Sequence, residues 1–379
     1  MRSTAIDRRG FLALLAAAAA APFEAGAAGR DEDRGRGAPY LAARRQDGRY
    51  EAVVLDGDTG RERLVLPLPD RGHSFAIDAA RGRAVVFGRQ PGFFALAFDL
   101  EGRGKPAALP LAAGRHFFGH GAYTPDGALL FATENDYETG RGVLGVYDAR
   151  DGHRRLGEID TAGIGPHEVV MMPDGRTLCV ANGGILTHPD YGKLELNLDS
   201  MKPSLAYLDA RSGRLLEQVF LPAQWHRLSL RHLALDASGA VWVGCQHMGG
   251  LDERPALVLR HRRGAALQAF AGPGGVLRGM RNYVGSVAVD PLGAVVATSS
   301  PVGGCVVFWD AADGRCLGSA AMDDGCGVAP APDEGFLLSS GLGALSHAAG
   351  GVREGFGNAP RPILRPARER AWDNHLRRV

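Results

Sequence analysis

The sequence predicts an all-β chain: a seven-bladed β-propeller closed by pairing of its N- and C-terminal strands. Three observations carry that expectation. First, a unit of apolar stretch, Asp/Pro/Gly turn and second apolar stretch recurs, with starts at His73, His120, His167, His232, Val284 and Cys326. Second, the starts lie 47, 47, 65, 52 and 42 residues apart, which matches the ~40–50-residue period of four-stranded blades with one insertion. Third, these six copies each bring an inner strand, whereas the segment from Tyr40 to Leu68 reads as three strands with none before them. The stretch Trp372-Asp373-Asn374-His375-Leu376-Arg377 can supply the missing strand. A ring closed in this way leaves no long sheet edge exposed.

The N-terminus comes first. Asp7-Arg8-Arg9-Gly10-Phe11-Leu12 followed by an Ala/Leu run and Ala25-Gly26-Ala27 reads as a twin-arginine export signal with an A-x-A cleavage site. The apolar run is too short to cross a bilayer comfortably. The expected organisation is an export signal over 1–27, a polar disordered leader over 28–38 and the propeller over 39–379, with the periplasm as the destination. No later segment is apolar enough for a transmembrane span.

The blades follow. The clearest copy runs from His167 through Pro173-Asp174-Gly175 to Asn182. Third strands recur as Val53-Val54-Leu55-Asp56, Val146-Tyr147-Asp148, Ala206-Tyr207-Leu208-Asp209 and Phe308-Trp309-Asp310, each leading into a turn rich in Asp and Gly. The 54 glycines suit a fold with many tight turns. The long fourth interval contains an insertion, Gly183 to Pro203.

Composition excludes several classes. The first 27 residues take three basic and two acidic residues, which leaves 40 of each in the rest of the chain. A nucleic-acid footprint would need a basic excess. Five cysteines without a CxxC or CxxCH give no zinc ribbon, thioredoxin-like site or covalent haem. Cys179 and Cys245 sit in apolar runs and read as small buried hydrophobes. There is no GxSxG, Walker loop or HExxH.

In a propeller, the loop entering each inner strand and the loop leaving each second strand open on one face. That gathers the blade starts His73, His120, His167 with Glu168, His232, Cys326 and His375. It also gathers the ends of second strands, among them Glu134-Asn135-Asp136 and Asn182 with His188. Imidazole is the commonest metal ligand. His73, His120, His167, His232 and Glu168 are therefore candidate ligands for iron, copper or zinc, and Glu134, Asn135, Asp136, Asn182 and His188 are candidate contacts for a bound group. Each blade-start histidine can equally fix the ring by bonding to a neighbouring blade's carbonyl, or serve as a base. His120 and His232 lie one residue nearer their turns than His73 and His167 do. Strand alternation would turn the two pairs in different directions, so three or four ligands, not a full ring, are expected. His153, His261 and His347 read as solvated surface residues. Arg281-Asn282-Tyr283-Val284 gives the blade without histidine a polar, aromatic lip.

The strings FFGHGAYTPDG, TENDYETGRGVLGVYD, GIGPHEVVMMPDG, VANGGILTHPDYG, PSLAYLD, RNYVGSVAVD and SSPVGGCVVFWD resemble a family of twin-arginine-exported proteins known as domain of unknown function 1513. The resemblance covers about Pro39 to His375. It implies a seven-bladed propeller and a periplasmic part in iron acquisition, with imelysin-like and dihaem oxidoreductase-like proteins as partners. It implies no established activity. His120, Glu134, Asn135, Asp136, His167, Glu168, Asn182 and His232 fall inside the matching strings.

Two functional readings result. One is a periplasmic binding or scaffold protein in metal acquisition, with a His-rich channel mouth. The other is a propeller enzyme of lactonase or lyase type, in which His167 or His232 acts as a general base. The string PHEVVMMPDG resembles segments of those folds, and fold alone does not decide.

Overall fold

The computed structural model describes residues 37–192, 194–348 and 359–379. The predicted export signal and nearly all of the leader lie outside them. The strands form seven four-stranded antiparallel sheets arranged as the blades of one ring. Blade 1 is built from both ends of the chain. Its inner strand Arg370–Arg378 pairs with Pro39–Gln46, which pairs with Arg49–Asp56, and Glu62–Leu68 forms the outer edge. Blades 2 to 7 begin with inner strands Gly72–Asp78, Arg115–Tyr123, Pro166–Met171, Leu228–Leu235, Ser286–Val289 and Gly325–Pro330. Each inner strand packs against the next around the channel, and the last packs against Arg370–Arg378.

The turn chemistry explains why the third strand of a blade ends where it does. Asp56, Asp209 and Asp310 close such strands, and their carboxylates accept from the N–H groups of the turn that follows. Gly60, Gly213 and Gly314, at φ 71°, 69° and 77°, then donate back to the same aspartate's carbonyl. An L-residue with a Cβ would be strained in that left-handed conformation.

The core lies between the blades. Trp242, Trp309 and Tyr207 are fully buried in the largest apolar cluster, together with Cys179 and Cys245, so these two thiols do behave as small hydrophobes. All five cysteines are free. Among the described residues no helix is long and apolar enough to cross a membrane. A short helix, Gly274–Met280, leads into blade 6.

The inner strands depart from regular pairing where it matters. Against its neighbour, the inner strand carries one extra residue in blades 2, 4, 5 and 7, and two extra in blades 1 and 3. Blade 6, which has neither His nor Cys at its start, pairs without a shift. The expectation that strand alternation sends the histidines in different directions is overturned here. A β-bulge re-aims the residues beside it, and each bulge sits at or next to the histidine or Cys326.

Candidate functional site

The bulges bring five imidazoles to one place in the channel. His73, His120, His167, His232 and His375 are all buried. Ring centroids lie 4.6 Å apart for His73–His375 and His120–His375, 4.7 Å for His167–His232, 4.9 Å for His232–His375 and 5.0 Å for His120–His167. Close approach of backbone makes this possible. Gly119 has φ 103°, and a Cβ on it would stand 2.6 Å from Cδ2 of His73.

Two carboxylates stand behind the rings. Asp373 bonds Nδ1 of His73 at 2.8 Å and also takes Arg71 and Arg89. Glu168 lies 3.6 Å from Nδ1 of both His120 and His232, beyond hydrogen-bond reach. Its oxygens are engaged by Arg377, which reaches across from blade 1, and by the N–H of Leu233. Burial pushes both carboxyls up, but Arg377 beside Glu168 and the His73 and arginine partners of Asp373 hold them well below the carboxylate range. Burial holds the imidazoles down: His73 at about 4, the other four also below their ordinary value. The rings are therefore neutral near pH 7, with lone pairs available.

Those lone pairs lack partners. Nε2 of His120, Nδ1 of His167, both ring nitrogens of His232 and Nε2 of His375 are buried without a hydrogen bond. Ligand atoms of His73, His120 and His375 lie within 4.8 Å of one another, and so do those of His120, His167 and His232.

The family comparison covers most of the chain. The family described as Protein of unknown function (DUF1513) matches residues 66–379. The chain belongs to this family. A search of the curated proteins gives no match. Among solved structures, Kuenenia stuttgartiensis hydrazine synthase is similar at TM-score 0.61 and 14% identity, over 88% of this chain and 100% of that one. The Cps50 (Swd1) β-propeller domain of Myceliophteria thermophila is similar at TM-score 0.59 and 13% identity, over 83% of this chain and 98% of that one. At such identities the likeness is one of fold.

The chain's histidines share the channel mouth with a cavity. His73, His167 and His232 line it together with Arg89, Arg231 and Tyr283. The insertion after blade 4's second strand contributes Gly183, Ile185, Thr187 and Glu195, and it is pinned across the mouth by a 2.8 Å bond from Gln90 to Thr187. The insertion is thus a roof over the channel, not a spacer. Several exposed large apolar side chains lie in the insertion or in loops that leave second strands, among them Phe93, Tyr191, Leu194, Leu251, Val302 and Leu342.

Of the residues expected to contact a bound group, none lines this cavity. Glu134 is buried within blade 3, bonded to Tyr147 at 2.6 Å and Arg155 at 2.8 Å. Asp136 is spent on Arg115, Arg141 and the Thr139 turn. Asn135 donates to His116 and the Thr187 carbonyl, and Asn182 to the Thr161 carbonyl. His188 caps the turn Pro189–Tyr191. His120 and Glu168 lie beneath the rings that line the cavity. Cys326 hydrogen-bonds backbone carbonyls of Ser339 and Asp373, and burial pushes its thiol up to about 12.

Three features escaped the sequence reading. His375 was placed among the blade starts but not among the ligands, and its ring lies within 4.9 Å of those of His73, His120 and His232. Arg231 precedes His232, and Arg89 follows the second strand of the blade that His73 opens, without any motif to mark either. The third is a correction: His153 and His261 are buried, paired with the hydroxyls of Tyr123 at 2.8 Å and Tyr207 at 2.7 Å. Only His347 among the three retains partial exposure.

Proposed function

We propose that this protein holds a transition-metal ion in its central channel and serves metal acquisition in the periplasm, with no catalytic step of its own. The observation that carries this is the set of buried, neutral, partnerless imidazole nitrogens, which fall in two groups of three that share His120. Leaving such groups unpaired costs about 1–3 kcal/mol each, and buried polar groups in native proteins are nearly always satisfied. A metal ion satisfies several at once.

The donor set fits iron, copper or zinc, which take imidazole readily. Metal–nitrogen bonds of roughly 2.0–2.1 Å put two ligands of one ion at most about 4.2 Å apart. At tetrahedral angles the separation is about 3.4 Å, so donor atoms that lie within 4.8 Å of one another close by up to about 1.4 Å on binding. His73, backed by Asp373, has the carboxylate–imidazole arrangement that fixes a ligand ring and raises its basicity. His120, His167, His232 and His375 would complete the set, and Glu168 would supply counter-charge from behind. The Arg8-Arg9 leader supports a periplasmic setting. The family resemblance supports iron as the ion and imelysin-like or dihaem oxidoreductase-like proteins as partners. The rival reading, a lactonase or lyase with His167 or His232 as base, is weakened by burial, which lowers the affinity of both rings for a proton.

The test is elemental analysis of untagged protein purified from the periplasm. We expect about one iron, copper or zinc per chain, lost in the combined His120→Ala, His167→Ala, His232→Ala variant. A wild type that carries no metal and takes none up on addition would overturn the proposal.

A further inference from the structure

The cavity above the imidazoles has a charge pattern that the metal site alone does not explain. Arg231 lines it beside His167 and His232. Among the described residues this guanidinium makes no hydrogen bond or ion pair, and its Nε is buried without a partner. The other cations nearby are all committed: Arg71 and Arg89 to Asp373, and Arg377 to Glu168. Glu195 stands on the cavity wall, where its charge favours that of Arg231 from beyond ion-pair distance. Of the guanidiniums of Arg71, Arg89, Arg231 and Arg377, Arg231 alone has no carboxylate within ion-pair distance among the described residues, and a divalent ion would add to the positive charge that faces the cavity.

An unpaired guanidinium in a walled cavity calls for an anion that can accept from its rigid fork of donors. The walls narrow the class. Phe118 and Ile185, both nearly buried, face the same space, so the ligand has a carbon skeleton as well as charged oxygens. We propose that the cavity binds a small organic dicarboxylate. One carboxylate pairs with Arg231, and the other lies towards His167 and His232, where an ion held by these residues would attract it. The ligand's charge offsets that of Arg231 and the ion together. The second half of this assignment rests on the metal site proposed above. The pairing with Arg231 does not.

Calorimetric titration of succinate into the mature full chain tests it, with chelator-stripped and zinc-loaded protein side by side. Succinate should bind the zinc-loaded form at least about tenfold more tightly than the stripped form, a coupling within the usual range for two linked sites. Arg231→Gln should weaken binding about tenfold or more while zinc content per chain is unchanged, as expected for loss of a charged, bidentate pair. Glu195→Gln should tighten it, because a repelling carboxylate is removed. Unchanged succinate affinity in Arg231→Gln overturns the proposal, and so does inorganic phosphate binding as tightly as succinate. Zinc retained with no succinate binding also overturns it, and leaves the metal site standing. Failure to retain zinc, with Arg231-dependent succinate binding intact, removes the metal reading and keeps the carboxylate pocket.

Discussion

His232 and His261 belong to the same blade and are equally buried, each 1% exposed, yet their rings are treated in opposite ways. His261 uses both nitrogens. Nε2 donates to the Ala265 carbonyl at 3.0 Å, which leaves Nδ1 to accept from the Tyr207 hydroxyl at 2.7 Å. His232 uses neither. The first ring is a satisfied strut in the outer wall. The second is held open in the channel at a cost to stability. A protein that keeps several such nitrogens together gives up folding free energy for a site, the usual exchange between stability and function.

The comparison can be broken most directly at the outer wall. His261→Leu keeps volume but strands the Tyr207 hydroxyl and the Ala265 carbonyl. Chemical unfolding should show a loss of about 2–3 kcal/mol, with metal content unaltered. A loss below ~0.5 kcal/mol, the range of an ordinary surface change, would remove the distinction.

A somewhat smaller effect is expected from pH at His116, another buried ring with both nitrogens occupied, by Asn135 and the Phe117 carbonyl. Burial holds its pKa at about 4, below the ordinary imidazole value of 6.5. Between those values the unfolded chain binds more protons than the folded one. Stability from this group is therefore intact above about pH 6.5 and falls as the pH drops towards 4. At pH 5 the loss amounts to about 2 kcal/mol. His116→Gln, which cannot titrate, should flatten the stability-versus-pH curve by that amount, and parallel curves would refute the assignment.

The smallest effect has the opposite sign. In metal-free protein, His232→Leu removes two unsatisfied nitrogens and strands no partner within hydrogen-bond reach. It should stabilise the fold by about 1 kcal/mol while weakening metal retention. A clear destabilisation of the metal-free form would mean that His232 is a strut after all.

How much of this was legible in the sequence depends on whether a residue's role follows from its place in the repeat. His73, His120, His167, His232 and His375 recur at one place in the blade, so their shared address could be read. Their convergence could not, because bulges of one or two residues re-aim them and no strand pattern announces a bulge of given size. Glu134 shows the reverse failure. Its position near a strand end suggested the open face, but its side chain turns into the blade towards Tyr147 and Arg155. His153 and His261 sit in hairpins and outer strands that read as exposed. They are buried where Tyr123, from the inner strand of the same blade, and Tyr207, from the preceding blade, meet them, contacts between residues 30 and 54 positions apart.

The sequence by itself determined the number of blades, the closure of the ring by the chain's two ends and the run of histidines at the blade starts. These are consequences of local periodicity and turn chemistry, which each segment carries alone. Only the tertiary structure decided that five rings meet, that Arg231 faces them unpaired and that the insertion roofs the channel. Those facts depend on the angle at which one strand meets the next, and that angle is fixed by packing between segments far apart in the chain.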